Sequence, residues 1–339
     1  ARGSCPITLK YMVKKQIELN HTKHLIRALH RFKGKRLGVV GDLMVDTYVW
    51  GTSTRLSPEA PAPVLLVQKN ISLPGGAANV ASNIASLGGR VTLLGVLGRD
   101  EAGKLLRFEL KKRSIDCAGI VEDSGRPTTQ KTRIVVKMKQ LMRIDNETDA
   151  HIDRTVENKL ISSLSKHMRE WDAVVISDYA KGLFTKRVAE HIVALAKKYK
   201  KPLIADLKPK NASLFKGVSI ILPNHKEASA IAGTRSVLQA GQVIQKKLNC
   251  TVLITQGAKG MTLFHEEENA YFPARALKIF DVTGAGDTVT AVMALSLALG
   301  LSFREAAFLS NEAAGIVVKK QGTATVSAWK LERKLRTYA

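Results

Sequence analysis

Short unbroken apolar runs alternate along this chain with longer segments of helical spacing. Arg36-Leu37-Gly38-Val39-Val40-Gly41 is the first such run, and it ends in Gly-Asp, as a buried strand does where it reaches a loop. The pattern recurs at 91–96, where Val91-Thr92-Leu93-Leu94-Gly95-Val96 follows a helix-like segment at 77–87, and again at Ala173-Val174-Val175-Ile176-Ser177-Asp178. Leu203-Ile204-Ala205-Asp206, Ile220-Ile221-Leu222-Pro223-Asn224 and Thr251-Val252-Leu253-Ile254-Thr255 continue it. Continuous apolar strands between amphipathic helices predict a mainly parallel sheet covered on both faces, an α/β fold. Met12, Ile17, Leu25, Ile26 and Leu29 recur at helical spacing and predict one or two leading helices over 10–33. Segments 47–70 and 126–145 break the rhythm. They alternate in the β manner, as in Lys131-Thr132-Arg133-Ile134-Val135-Val136, with no helix between. They predict a small β layer, such as a lid, inserted in one α/β domain.

Five of the predicted strands end in a polar residue: Asp42, Asp178, Asp206, Asn224 and Thr255. Ligands of open α/β sheets bind outside the carboxyl ends of the strands, so these ends predict one shared site. The densest chemistry is Asp281-Val282-Thr283-Gly284-Ala285-Gly286-Asp287, followed at once by an apolar helix-like run. A turn this small brings backbone N–H groups together at a helix N-terminus, where the dipole favours an anion. Asp287 then suits a base that takes a proton from a hydroxyl while the N–H groups hold a phosphoryl group. The plain alternative is a cap and a surface charge.

Other motifs are open to two readings. Asp42 and Asp46 suit neighbouring hydroxyls of a sugar, or are solvated acids beside a strand. Gly75 and Gly76 open a predicted helix and let backbone approach a ligand, with Asn79 able to donate and accept. Asn224 and Glu227 stand three apart, as oxygen donors for Mg²⁺ through water or as a capping box. Thr255-Gln256-Gly257-Ala258-Lys259-Gly260 is a phosphate loop or a tight turn. The histidines lack ligand spacing and receive no catalytic role.

Composition adds limits. Of 339 residues, 45% are hydrophobic and 24% charged, ordinary globular proportions. No apolar run has the length of a membrane span, the first residues lack a leader pattern, and three cysteines without metal spacing suit a reducing compartment; the expectation is a cytoplasmic protein. The net charge of +24 is concentrated partly in the first 36 residues. No zinc-finger spacing or stacking motif accompanies it, so nucleic acid is not the expected partner; a positive field that steers anionic substrates is.

Gly-Gly-x-x-Asn early, Asn-x-x-Glu in the middle and Asp-x-x-Gly-Ala-Gly-Asp late, in that order, resemble the PfkB/ribokinase family of sugar kinases over residues 36–330. Within it, Arg55-Leu56-Ser57-Pro58-Glu59-Ala60-Pro61-Ala62-Pro63-Val64, Gln140-Leu141-Met142-Arg143-Ile144-Asp145, Ser177-Asp178-Tyr179-Ala180-Lys181-Gly182 and Gly322-Thr323-Ala324-Thr325-Val326-Ser327 are similar to bacterial D-glycero-β-D-manno-heptose-7-phosphate kinases. Val282 in the late turn points the same way. Asp206-Leu207-Lys208-Pro209 and Thr255-Gln256-Gly257 depart from the heptose pattern.

The resemblance implies a ribokinase-like three-layer α/β/α domain over 36–330 with a β lid, a basic helical extension over 1–35 and a tail at 331–339. It implies ATP, Mg²⁺ and transfer to the anomeric O1 of a heptose 7-phosphate; other sugars, sugar phosphates or nucleosides are the near alternatives, and a non-catalytic sugar or nucleotide binder the distant one. With no nucleotidyltransferase half following the match, a stand-alone kinase is implied. Asp287 is implied as base, Gly284, Ala285 and Gly286 as anion hole, and Lys208 as partner of the moving phosphate. Asn224 and Glu227 are implied to organise Mg²⁺. Asp42, Asp46, Gly75, Gly76 and Asn79 fall at sugar positions, Thr255, Gly257 and Gly260 in a nucleotide loop, and Asn311 near an adenine pocket. Arg143, Lys181 and Arg133 are the candidates for the 7-phosphate. A monovalent cation near the Asp281 loop and a homodimer paired through the lid also come with the family.

Overall fold

The computed structural model describes residues 22–137, 139–275, 281–319 and 322–338. The first helix, α1, covers 22–30. β1 (Arg36–Gly41), β2 (Leu43–Thr52) and β3 (Leu66–Gly76) lead into α2 (Ala77–Ser86); β4 (Arg90–Gly98), α3 (Glu101–Lys112) and β5 (Asp116–Asp123) follow. Then come β6 (Thr129–Val136), β7 (Lys139–Asn146), α4 (Arg154–His167), β8 (Ala173–Ser177), α5 (Lys186–Lys198), β9 (Leu203–Asp206) and β10 (Ile220–Ile221). The last part holds α6 (His225–Ala232), α7 (Val237–Leu248), β11 (Thr251–Thr255), β12 (Met261–His265), β13 (Glu268–Phe272), α8 (Ala285–Ala298), α9 (Phe303–Val317) and α10 (Ala328–Leu335).

Nine strands form the main sheet in the order β13-β12-β11-β10-β9-β8-β1-β4-β5. It is parallel from β5 to β11, with β12 and β13 added antiparallel at one edge. Alternate residues of each central strand face different cores, which is why the runs read as continuously apolar. Leu37, Val39, Ala173 and Val175 pack toward α1, α2, α3, α8 and α9. Val40, Val174 and Ile176 pack toward α4, α5, α6 and α7. The expected α/β/α layering is present. The leading helix is part of it, since Leu25, Leu29 and Phe32 are buried in the first core; the portion of that helix expected over 10–21 lies outside the described residues. α8 is buried on every face from Asp287 to Ser296, as a helix enclosed between α2 and α9 must be.

The lid is a second sheet, β3-β2-β6-β7. It reaches further than the expected 47–70 and 126–145: β2 starts at Leu43, one residue past β1, and β3 runs to Gly76, where α2 begins. The lid is therefore tied at both ends to the strand-end region. The β12–β13 hairpin, absent from the sequence reading, turns at Glu266-Glu267 with Glu266 at φ +51. Its turn lacks the Asn-Gly or Asp-Gly signature of two-residue hairpins.

Gly41 sets the distance between β1 and β8. A Cβ there would collide with the Ser177 carbonyl, backbone that cannot swing aside. Gly41→Ala is expected to lower stability by about 1–3 kcal/mol in urea unfolding, the range of overpacked cores; an unchanged midpoint contradicts this account of the strand spacing.

Candidate active site

Register alone gathers the strand-end acids. Gly41 pairs with Ser177 and Ser177 with Asp206. The chain then continues the ladder, Asp42 N–H donating to Ser177 O at 3.1 Å and Asp178 N–H to Asp206 O at 2.9 Å. Asp42 and Asp178 are buried and act on backbone. Asp42 Oδ2 accepts the N–H of Tyr179 (2.7 Å) and of Lys181 (3.2 Å). Asp178 accepts the N–H of Ala180 and of Lys208 and the amide of Asn211. The two carboxylates thus fix a turn at 178–182, in which Ala180 takes the left-handed conformation (φ +59). Burial raises Asp42 to about 6, helped by the charge of Asp178.

The helix termini separate this region from the rest of the fold. α3, α4, α5, α6, α7, α9 and α10 each start from an Asp, Asn, Ser or Thr whose side chain accepts a first-turn N–H. α2 and α8 instead start from Gly76 and Gly284, with no side-chain cap. At α8 the Ala285 N–H turns onto Val282 O at 3.2 Å. Among the described residues no acceptor takes the N–H of Gly284, Gly286 or Asp287. An uncapped N-terminus is a place for an anion, and a Cβ on Gly286 would meet open space. Gly284 has φ +76, and a Cβ on it would come within 2.7 Å of the Asn79 amide nitrogen.

That amide matters because it holds Asp287. Asn79 Nδ2 donates to Asp287 Oδ2 at 2.6 Å, and Tyr179 O–H donates to Asp287 Oδ1 at 2.9 Å. Asn79 is itself placed by the next turn of α2, where Asn83 donates to its carbonyl and accepts from Thr288 of α8. Burial pushes Asp287 up to about 6, against the lowering effect of its two donors. A carboxylate poised there changes protonation close to neutral pH, the range in which a general base works.

Lys208 faces it. Burial draws the Lys208 pKa down, but its ion pair with Glu227 and the nearby aspartates outweigh this and raise it. The ammonium also lies 5.2 Å from the centre of the Tyr179 ring. Glu227 and Asn224 form a reciprocal capping box at α6, Glu227 Oε2 accepting Asn224 N–H at 2.9 Å and Asn224 Oδ1 accepting Glu227 N–H at 3.0 Å. A cavity of about 170 Å³ lies between these groups and α8, bordered by Tyr179, Asp206, Lys208, Glu227, Gly286 and Asp287. Asn224 and Thr255, bridged to each other at adjacent strand ends, line it as well. Burial and the charge of Glu227 push Asp206 up to about 8. Among the described residues no three His, Cys, Asp or Glu side chains are grouped to hold a metal directly. The donors at the cavity are oxygens, the kind Mg²⁺ prefers, and few enough that the ion would keep waters and phosphate oxygens.

The lid carries the remaining polar candidates. Arg133 Nη1 donates to Asp46 Oδ1 at 2.5 Å, both largely buried. A Cβ on Gly75 would collide with that Asp46 carboxylate, so this glycine makes room for Asp46, and Gly76 (φ +56) passes close to Asp42 O. Arg143 stands opposite Arg133 in the β6–β7 register and pairs with Asp145 at 2.9 Å. Lys181 pairs with Glu147 at 2.5 Å, and Lys131, given no role by the sequence reading, bridges Asp145 and Glu147. Four cations face three carboxylates across these pairs. Elsewhere, Gly257 and Gly260 shape the turn after β11 (φ +57 and +94). Asn311 on α9 donates to Pro273 O at 2.8 Å. Asp281 accepts the N–H of Thr283 and of Gly322, which ties its loop to the chain end and holds its carboxyl below the ordinary range despite partial burial. Tyr179 is the contact to Asp287 missed by sequence reasoning; the available signal was an aromatic residue directly after a strand-end aspartate.

An α/β/α sheet with an uncapped glycine turn, a buried aspartate behind it and a lysine across the cavity is the outline of a phosphotransferase. Residues 35–330 match the pfkB family of carbohydrate kinases, and the chain belongs to that family. It is 41% identical over 312 residues to the bifunctional protein HldE of Desulfatibacillum aliphaticivorans, covering 90% of this chain and 64% of that protein. It is 40% identical over 296 residues to HldE of Geobacter sulfurreducens, covering 85% and 60%. The match thus spans less than two thirds of the length of these relatives. The fold is shared with Arabidopsis thaliana ribokinase complexed with ribose and ATP (TM-score 0.71, 22% identity, 89% of this chain and 99% of that one). It is shared equally with Escherichia coli phosphofructokinase-2 in complex with potassium (TM-score 0.73, 20% identity, 90% and 99%). No helix among the described residues is long and apolar enough to cross a membrane.

The buried acids make stability depend on pH. Asp287 at about 6 and Asp206 at about 8 hold their protons more tightly folded than unfolded, where 3.8 is ordinary. Their contribution is full below about pH 4 and is lost as pH rises through 6 and then 8. Asp206→Asn is therefore expected to leave the melting temperature nearly unchanged at pH 4 and to raise it by about 4 °C or more at pH 8. A gain of the same size at both pH values contradicts the raised pKa.

Proposed function

We propose that this chain is an ATP- and Mg²⁺-dependent kinase that phosphorylates the anomeric O1 of D-glycero-β-D-manno-heptose 7-phosphate to the 1,7-bisphosphate, a step toward ADP-heptose and the lipopolysaccharide core. The observation that carries the reading is the Asp287 carboxylate, buried and held by Asn79 and Tyr179 at the uncapped start of α8, with Lys208 across the cavity. Asp287 accepts the proton of the acceptor hydroxyl as attack begins. The N–H groups of Gly284, Gly286 and Asp287, with Lys208, stabilise the charge that spreads over the phosphoryl oxygens. Mg²⁺, when bound, neutralises the triphosphate; Glu227 and Asn224 are the residues to hold it through water. The turn at Thr255, Gly257 and Gly260 and the amide of Asn311 are the candidates for the nucleotide.

The heptose phosphate is supported by the segments at 55–64, 140–145, 177–182 and 322–327 and by about 40% identity to HldE proteins. Asp42, Asp46, Gly75, Gly76 and Asn79 lie where β1, the lid and α2 meet and would face the sugar. Arg133, Arg143 and Lys181 already sit in ion pairs, so a sugar phosphate would exchange carboxylate partners for phosphate oxygens. The Asp281 loop, beside the buried Thr323 hydroxyl that lacks a partner among the described residues, is the candidate place for a monovalent cation. Leu66 and Val67 on one edge strand of the lid and Leu141, Met142 and Ile144 on the other are exposed, which supports a homodimer paired through the lid. An ATP-dependent reaction suits the cytoplasm.

An acceptor panel read by ADP release tests the assignment: heptose 7-phosphate is expected to exceed ribose, fructose, fructose 6-phosphate and adenosine, and preference for any of these redirects it. Asp287→Asn is expected to lower kcat by about 100- to 10,000-fold with ATP affinity little changed; near-normal turnover removes Asp287 as base. Arg143→Ala is expected to raise KM for the sugar phosphate about tenfold or more, as loss of a charge-assisted hydrogen bond does, while KM for ATP stays put. An unchanged sugar KM excludes Arg143 from the phosphate.

A further inference from the structure

We propose that Tyr179 is a positioning residue for phosphoryl transfer, which orients the Asp287 carboxylate and keeps it ionised through the hydrogen bond from its hydroxyl. The inference rests on the reading of Asp287 as the base.

Each oxygen of Asp287 has one donor, Asn79 Nδ2 on Oδ2 and the Tyr179 hydroxyl on Oδ1. The two come from different elements, one from α2 and one from the turn after β8. Together they fix the rotation of a carboxylate that would otherwise be free about its last bond. A base must be aligned with the proton it takes, so losing either donor frees the wrong degree of freedom.

The Tyr179 end is itself constrained. Its backbone N–H is held by Asp42 at 2.7 Å, and the next N–H, of Ala180, by Asp178 at 2.7 Å. Ala180 takes a left-handed conformation that side-chain-bearing residues avoid. A turn of that kind persists where surrounding contacts over-determine it, and such turns cluster at functional sites. Here the outcome of the turn is that the ring spans the gap between the two charged groups of the reaction. Its hydroxyl reaches Asp287 and its ring centre lies 5.2 Å from the Lys208 ammonium. Burial and the charge of Asp287 keep the Tyr179 hydroxyl protonated, with a pKa well above 10. Tyr179 therefore remains a donor throughout the working range and is not itself the base. Around Asp287 the charged groups are Asp46, Asp206 and Lys208; none of them donates a hydrogen bond to its carboxylate among the described residues.

The test is the pH dependence of kcat/KM for heptose 7-phosphate. Wild type is expected to lose activity below about pH 6. Tyr179→Phe keeps the ring over Lys208 and removes only the hydroxyl. Its acid limb is expected to move up by about one pH unit, the size of a hydrogen bond to a charged group, and its kcat to fall at least tenfold with KM for ATP within twofold. Replacing Tyr179 by 3-fluorotyrosine, a stronger donor of nearly the same volume, is expected to move the limb down. Opposite shifts from the two replacements are not produced by a structural role alone. Superimposable profiles for wild type and both replacements, or a fall in kcat with the limb unmoved, overturn the proposal; if Tyr179→Phe does not fold, the fluorotyrosine shift decides. The pH dependence of melting temperature separates this inference from the reading beneath it. Tyr179→Phe is expected to displace the Asp287-linked loss of stability to higher pH in the wild-type background and to have no such effect with Asp287→Asn. If wild type phosphorylates no acceptor, the kinase reading falls while this second measurement still decides the contact.

Discussion

A carboxylate removed from water resists ionisation, and most of the site can be understood as the means of holding one ionisable carboxylate in place. Asp287 lies in the first turn of a helix that is buried on every face. Desolvation raises it, two hydrogen-bond donors lower it, and the balance falls at about 6. The helix start adds its dipole, which favours a negative charge. Those same open N–H groups are what a phosphoryl group would use. The glycine at the cap therefore serves two ends: it leaves the N–H groups uncovered, and it leaves room for Asn79 to reach the carboxylate.

The neighbouring aspartates have different work. Asp42 Oδ2 and both oxygens of Asp178 accept hydrogen bonds from backbone N–H groups of the 178–182 turn, from the N–H of Lys208 and from Asn211. Burial, and after it the mutual repulsion of so many acids crowded at the strand ends, raises Asp42 and Asp206. Lys208 offsets part of this repulsion at Asp206, while its ion-pair partner Glu227 adds to it. The region is thus electrostatically tight in the absence of ligand, and a bound cation or a change of protonation would act on several of its members together.

Much of this was legible in the sequence because buried parallel strands are apolar on both faces and stop at polar residues. Those stops located Asp42, Asp178, Asp206, Asn224 and Thr255, and the fold brings their strand ends side by side. The glycine turn before α8 was legible as an anion site because the chain places no capping side chain there. What was not legible depends on pairings made across long separations. Asn79 meets Asp287 from 208 positions away, and Arg133 meets Asp46 from 87. Neither partner carries a local signal of the other, so the sequence offered Asn79 as a sugar ligand and Arg133 as a phosphate ligand without the carboxylate that each one holds. Tyr179 was hidden for a further reason: its direction is set by the left-handed turn at Ala180, which no glycine marks. The capping box at Asn224 and Glu227 shows the reverse case, where the local motif is present and leaves Glu227 still beside the cavity.

The proposed chemistry depends on the ionisation of one side chain, and that can be observed without substrate. Protein labelled with ¹³C at the aspartate carboxyl carbons, with the Asp287 signal assigned by its absence in Asp287→Asn, would be titrated from pH 3 to 9. The expected midpoint for Asp287 is about 6. A midpoint near 3.8, the ordinary value, would mean that the carboxylate is neither buried nor poised, and the proposed chemistry would lose its base.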